Sequence, residues 1–184
     1  MADVLKIALE KGISGEGFAP EEARSFVSLP DDCLYEMLSV TERVRRHHKG
    51  MEVNLCSIVN AKSGLCPEDC SFCSQSVKYS TGVKTYPMVS PVAIVNAARE
   101  AERHGAREFS IVTSGTGIEK ERDVSILVET LGAMKGSIKM ERCASLGILG
   151  RSTLKKLRES GLESYHHNLE TSRSFFPNIC THFH

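Results

Sequence analysis

Glu52-Val53-Asn54-Leu55-Cys56-Ser57-Ile58-Val59-Asn60 is where the chain changes habit. Val53, Leu55, Ile58 and Val59 give this stretch the β-branched, apolar content of a strand. Upstream, the first 48 residues read as helix. Val4, Leu5, Ala8 and Leu9 recur at helical spacing, as do Phe26, Leu34, Met37, Leu38 and Val44. Pro20 and Pro30 each precede acidic residues, as at helix starts. The basic run Arg43 to Lys49 is read as a solvated helix end. Residues 1–50 are therefore expected to form a helical N-terminal extension, and residues 51–184 the core domain.

Downstream, strands and helices alternate. Pro91 to His104 reads as a helix with Val92, Ile94, Val95, Ala98 and Ala101 apolar. Arg107 to Thr113 is a second strand, Ser114 to Gly117 a loop, and Asp123 to Lys135 a helix. Ile138 to Leu146, Ser152 to Ser160 and Leu162 to Leu169 continue as strand, helix, strand. Repeated units of this length imply an α/β fold with a parallel sheet and right-handed crossovers. A site on such a sheet lies at the carboxyl ends of the strands. The loop after strand one, Ser114 to Gly117, and His167 to Ser172 all fall there.

Composition sets the class. Of 184 residues, 41% are hydrophobic and 25% charged, the profile of an ordinary globular chain with room for one core. Lys plus Arg and Asp plus Glu are 23 each, so no charge excess points to nucleic acid or an anionic membrane. No apolar run approaches the roughly 20 residues that span a bilayer. The start, Met1-Ala2-Asp3-Val4-Leu5-Lys6, lacks the pattern of a secretory leader, and the chain is read as cytoplasmic. Seven cysteines in that setting point to metal binding or catalysis rather than disulfides.

Three of them crowd into Cys66-Pro67-Glu68-Asp69-Cys70-Ser71-Phe72-Cys73-Ser74-Gln75, a C-x3-C-x2-C spacing among turn formers. Three thiolates this close suit a soft, sulfur-loving metal centre. A closed zinc site wants a fourth ligand, for which Cys143, His166 and His167 are candidates. Ferredoxin clusters take four cysteines, whereas this motif supplies three. A four-iron cluster held by three thiolates keeps an iron that an amine and a carboxylate can occupy. Structural thiols are the remaining reading. Adjacent histidines on a strand point to opposite faces, so at most one of His166 and His167 lines the site.

The loop resembles the hallmark of the radical S-adenosylmethionine (SAM) superfamily. The wider string Ser63-Gly64-Leu65-Cys66 through Gln75-Ser76, with Tyr79 and Thr81-Gly82, is similar to biotin synthases. So are Cys143-Ala144-Ser145-Leu146-Gly147 and Tyr165-His166-His167-Asn168-Leu169-Glu170-Thr171-Ser172. The resemblance covers residues 1 to about 180. It implies the N-terminal half of a TIM (β/α)8 barrel, about four strand–helix units behind the helical segment. Cys66, Cys70 and Cys73 would hold a 4Fe-4S cluster whose open iron chelates SAM, and Phe72, Asn168 and Glu170 would contact cofactor or substrate. The implied reaction makes biotin from dethiobiotin by radical sulfur insertion, with a flavodoxin or ferredoxin as electron donor and a homodimer as the usual assembly.

Cys143 aligns with a ligand of the auxiliary 2Fe-2S cluster that supplies the sulfur. Ser110 stands where many relatives carry another ligand cysteine, which points to a variant or incomplete auxiliary cluster. His166 replaces the usual Asn. Cys33, Cys56 and Cys180 match no family ligand and read as structural. A complete barrel takes about 250 residues, and the family continues with four more strands where this chain ends. Thr181-His182-Phe183-His184 also leaves the family pattern, so the expectation is a truncated chain, inactive or poorly stable alone because a strand edge and apolar faces stay uncovered. Two other readings share the same front half: another radical SAM enzyme such as a hydrogenase-cofactor maturase, and a non-catalytic iron–sulfur or zinc module.

Overall fold

The computed structural model describes residues 2–118 and 120–181. His182, Phe183 and His184, the end of the tail that departs from the family pattern, lie outside the described residues. Two compact units divide the chain, Met1–Val53 and Asn54–His184.

The first unit is helical: α1 (Ala2–Ser14), α2 (Pro20–Val27), a 3-10 turn (Asp31–Cys33) and α3 (Leu34–Lys49). Pro20 occupies the first turn of α2, where its missing N–H is no loss. The Glu22 carboxylate reaches back to accept the Ala19 N–H at 2.7 Å and the Lys11 ammonium at 2.8 Å, which ties α2 to α1. His48 on α3 bonds the Gly12 carbonyl at 2.7 Å.

The second unit alternates β1 (Cys56–Lys62), α4 (Pro91–Arg103), β2 (Glu108–Thr113), α5 (Glu121–Met134), β3 (Glu141–Ser145), α6 (Arg151–Ser160), β4 (Ser164–Tyr165) and the short α7 (Phe176–Ile179). These four strands pair in parallel, in the order β1-β2-β3-β4. Sequential order without reversal is the winding of a barrel; a doubly wound sheet changes direction after its first strands.

Helices form where the sequence places caps and periodic apolar residues. Ser90 caps α4 by accepting the Ala93 N–H at 3.3 Å, Pro91 opens it, and Ile94, Val95, Ala98 and Ala101 face inward. They pack with Leu127, Leu131 and Met134 of α5 and Leu157 of α6 against Ala61, Phe109, Ile111 and Ala144 of the sheet. Each large side chain fully buried here contributes about 1.5–3 kcal/mol of hydrophobic free energy. Arg142 fastens the last unit, bonding the Gly161 carbonyl at 2.7 Å and pairing with Glu163 at 3.1 Å.

The other face of the sheet carries Ile58, Ser110, Cys143 and Ser164 side by side across the four strands. Its β1 edge is open, with Ile58 64% exposed. All four strands differ from their sequence-based bounds: β2 starts one residue later, β3 runs Glu141–Ser145 where Ile138 to Leu146 was expected, and β1 and β4 also shift. Glu52 to Leu55 are not strand, because the parallel ladder with β2 begins at Cys56. The fourth strand shrinks from Leu162–Leu169 to Ser164–Tyr165: β3 offers partners only at Cys143 and Ala144, the His166 N–H makes one last bond to the Ala144 carbonyl at 2.8 Å, and Leu169 is left 84% exposed.

Candidate metal centre

β1 delivers the chain into a 28-residue connection, residues 63–90, before α4 begins. Cross-links within it shape the cysteine loop. Ser63 and Tyr86 exchange backbone bonds at 3.1 Å, Cys66 N–H donates to the Gln75 carbonyl at 3.0 Å, and Val77 N–H donates to the Cys66 carbonyl at 2.9 Å. The Gln75 side-chain oxygen accepts from Gly64 N–H at 2.6 Å and Ser63 Oγ at 3.1 Å. Ser76 Oγ donates to the Glu68 carbonyl, and the Tyr79 hydroxyl to the Asp69 carbonyl at 2.6 Å. A turn closed by Cys73 N–H on the Cys70 carbonyl, 3.0 Å, sets the last two thiols.

The three half-buried cysteines line one cavity of about 390 Å³ with Glu68, Phe72, Ser114, Thr116, His167, Asn168 and Glu170. Its walls come from the carboxyl ends of β1, β2, β3 and β4, where the topology places a site. The β2 wall is anchored by Ser114, whose hydroxyl donates to the Gly64 carbonyl at 2.7 Å. The β3 wall is anchored backbone to backbone, Ile148 N–H donating to the Thr116 carbonyl at 2.7 Å. Gly117 and Gly147 permit that approach: a Cβ at Gly117 would stand 2.2 Å from the Ile148 oxygen, and one at Gly147 2.2 Å from the Thr116 oxygen. Glu170 holds a left-handed backbone, φ 61°, at the mouth.

Sequence-predicted residues fall into two groups. Cys66, Cys70, Cys73, Phe72, Asn168 and Glu170 converge on the cavity, and of the two histidines His167 lines it. Cys143 does not. It is buried on the sheet face beside Ser110, its register partner, and away from the lining of the cavity. The Ser110 hydroxyl is buried without a hydrogen-bond partner among the described residues.

One cavity residue, Glu68, was given no role by the sequence. Glu68 is 4% exposed; its Oε1 accepts from Thr116 Oγ1 at 2.9 Å, while Oε2 is buried with no partner among the described residues. An acidic residue between two cysteines of a metal loop was the available signal. A buried carboxylate oxygen without a donor is poised for a cationic N–H.

Burial raises the Cys66 thiol above its ordinary range. Burial, aided by the Cys180 thiol beside it, pushes Cys70 up to about 12. Burial, with Glu141 and Glu108 nearby, pushes Cys143 up to about 11. Such thiols stay protonated in the metal-free chain and become thiolates when a metal takes the proton's place. Among the described residues no three His, Cys, Asp or Glu side chains are already gathered to hold a single metal ion; the three thiols that line this one cavity are nonetheless the soft donor type that an iron–sulfur cluster takes.

The family model of the radical SAM superfamily matches residues 62–182. The chain belongs to the radical SAM superfamily. Among curated relatives of this radical SAM chain, biotin synthase of Trichlorobacter lovleyi is 42% identical over 92% of the chain and 51% of its own length. That of Pelotomaculum thermopropionicum is 46% identical over 91% and 52%, and that of Anaeromyxobacter dehalogenans 45% identical over 98% and 50%. The chain thus spans about half the length of the curated relatives it matches. Among solved structures, HydG, a maturase of the FeFe-hydrogenase, superposes with a TM-score of 0.72 at 14% identity, covering 97% of this chain and 40% of HydG. At that identity the likeness shows the fold alone, a barrel-type arrangement of strand–helix units. No helix among the described residues is long and apolar enough to cross a membrane.

Proposed function

We propose that this chain carries the SAM-cleaving site of a biotin synthase-type enzyme. The observation behind the reading is the convergence of Cys66, Cys70 and Cys73 on a single cavity whose far wall is Asn168 and Glu170. The three thiolates would hold a 4Fe-4S cluster, and the SAM amine and carboxylate would bind beside it. When bound, the cluster supplies the electron on which the sulfonium carbon–sulfur bond breaks.

The chain's own side chains do the rest of the binding. Glu68 Oε2 would accept an N–H of the SAM amine, which gives that buried oxygen a donor. Asn168 and Glu170 face the cofactor from the β4 side, where an amide and a carboxylate suit ribose hydroxyls. Phe72, 56% exposed at the cavity, offers an apolar surface to the adenosine.

The substrate is dethiobiotin and the product biotin, a sulfur transfer in the last step of biotin biosynthesis. The identity of 42–46% to biotin synthases over more than nine-tenths of the chain supports this. Cys143 would be a ligand of the auxiliary 2Fe-2S cluster or a variant of it; the Ser110 hydroxyl beside it, without a partner among the described residues, supports that assignment. A flavodoxin or ferredoxin supplies electrons, and the working assembly is a homodimer.

The test is anaerobic reconstitution with iron and sulfide, then dithionite and SAM, with chromatography for 5′-deoxyadenosine and methionine. Both products are expected from the wild type and neither from Cys66→Ala. Addition of dethiobiotin should speed deoxyadenosine release. A reconstituted protein that leaves SAM intact overturns the reading.

A further inference from the structure

Cys180, which matches no family ligand, caps the C-terminal end of α7, its N–H donating to the Phe176 carbonyl at 3.0 Å, and its side chain is 4% exposed. Its Sγ lies 3.5 Å from Cys70 Sγ and 3.3 Å from Asp69 Oδ1. The approach is built by neighbouring bonds. Ser71 N–H donates to the Ile179 carbonyl at 2.8 Å, Thr181 N–H to Asp69 Oδ1 at 2.9 Å, and the Thr181 hydroxyl to the other Asp69 oxygen. These contacts clamp residues 179–181 onto residues 69–71 and hold two free thiols in van der Waals contact across 110 positions of sequence.

We propose that Cys70 and Cys180 are a thiol–disulfide pair that gates metal loading. The oxidant is a small-molecule disulfide such as oxidised glutathione. One of the two thiols attacks it, giving up its proton to the departing glutathione, so that a mixed disulfide forms and one glutathione is released. The second thiol attacks the mixed disulfide, the Sγ–Sγ bond forms, and the second glutathione leaves. Two cysteines have lost two electrons and two protons, and the two glutathione thiols carry them away. The sulfurs, 3.5 Å apart, need to close by roughly 1.5 Å to reach bonding distance. A Cys70 in that bond has no thiolate to offer, so the triplet is reduced to Cys66 and Cys73. The bond itself stands on geometry; its effect on iron rests on the reading of Cys70 as a cluster ligand.

The experiment uses the full chain free of metal, incubated with oxidised glutathione and mapped by non-reducing proteolysis and mass spectrometry. The expected product is the Cys70 peptide linked to the Cys180 peptide. A second arm offers iron and sulfide anaerobically: oxidised protein should take up roughly a tenth of the iron that reduced protein binds, and dithiothreitol should restore it. Cys180→Ser and Cys180→Ala, used together because the site is buried, should load iron normally when reduced and keep loading after oxidant. Linkage of Cys70 to Cys66 or Cys73 would overturn the pairing. Equal iron uptake before and after oxidation would overturn the gate, and so would loss of iron by the reduced Cys180 variants, which would make Cys180 a ligand. If reduced wild type binds no iron, the cluster reading fails while the peptide map still decides the disulfide.

Discussion

Replacing Gly147 by alanine should loosen the cavity wall without touching a cysteine, and its cost can be worked from the structure. Gly147 has φ 75°, where a Cβ costs about 1–2 kcal/mol. That Cβ would also stand 2.2 Å from the Thr116 oxygen and 2.6 Å from its carbonyl carbon. Backbone has to retreat by roughly 1 Å, an overpacking of about 1–3 kcal/mol. The sum is about 2–5 kcal/mol, or roughly 5–15 °C in melting temperature for a chain of this size. Gly136 is the control: its φ is 83°, but nothing lies within 4 Å of a built Cβ, so alanine there carries the backbone cost alone. Thr116 cannot retreat without disturbing its bonds to Ile148 and Glu68. Circular-dichroism melts of Gly136→Ala and Gly147→Ala, with SAM affinity by equilibrium dialysis, would separate the two costs. Gly147→Ala should melt lower than Gly136→Ala and bind SAM more weakly at equal iron content. A Gly147→Ala protein no less stable than Gly136→Ala would refute the close-approach argument.

Tyr165 supports the same wall by donating its hydroxyl to the Gly147 carbonyl, so Tyr165→Phe should cost about 1–2 kcal/mol in urea titrations. Burial raises the Tyr165 phenol above 10, so its neutral form favours the fold. That stability is complete below pH 10 and is lost as pH rises through the folded value, so the stability difference between wild type and Tyr165→Phe in urea titrations should shrink above pH 10. Glu68→Gln should keep its iron and weaken SAM binding about ten- to a hundredfold, the worth of a charge-assisted bond; unchanged affinity would place the SAM amine elsewhere. Cys56→Ser, on the open face of β1, should load iron like wild type, whereas Cys70→Ser should not, as iron and sulfide analysis would show.

What could be read from the sequence follows from how local each signal is. Ser90 and Pro91 announce α4, and Ile94, Val95, Ala98 and Ala101 repeat at helical spacing, so its bounds were legible to a residue. The cysteine triplet was legible because its chemistry lies in its spacing, and the strand–helix alternation placed it at a strand's carboxyl end. Strand ends were harder. Val53 and Leu169 have strand-like side chains, yet they are 75% and 84% exposed because a ladder needs a partner from another part of the chain. Contacts formed by distant segments were not legible at all. Thr116 meets Glu68 across 48 positions and Cys180 meets Cys70 across 110, and no periodicity records either approach. The placement of Cys143 with Ser110, apart from the triplet, likewise depends on the β2–β3 register.

The central claim, that Cys66, Cys70 and Cys73 hold a cluster with an iron open to SAM, is tested most directly by electron paramagnetic resonance of the reconstituted, dithionite-reduced chain. About four irons per chain at this site, besides any auxiliary iron, a reduced four-iron signal, and a change in that signal when SAM is added are expected. Stoichiometric zinc in place of iron, or a signal indifferent to SAM, would contradict it.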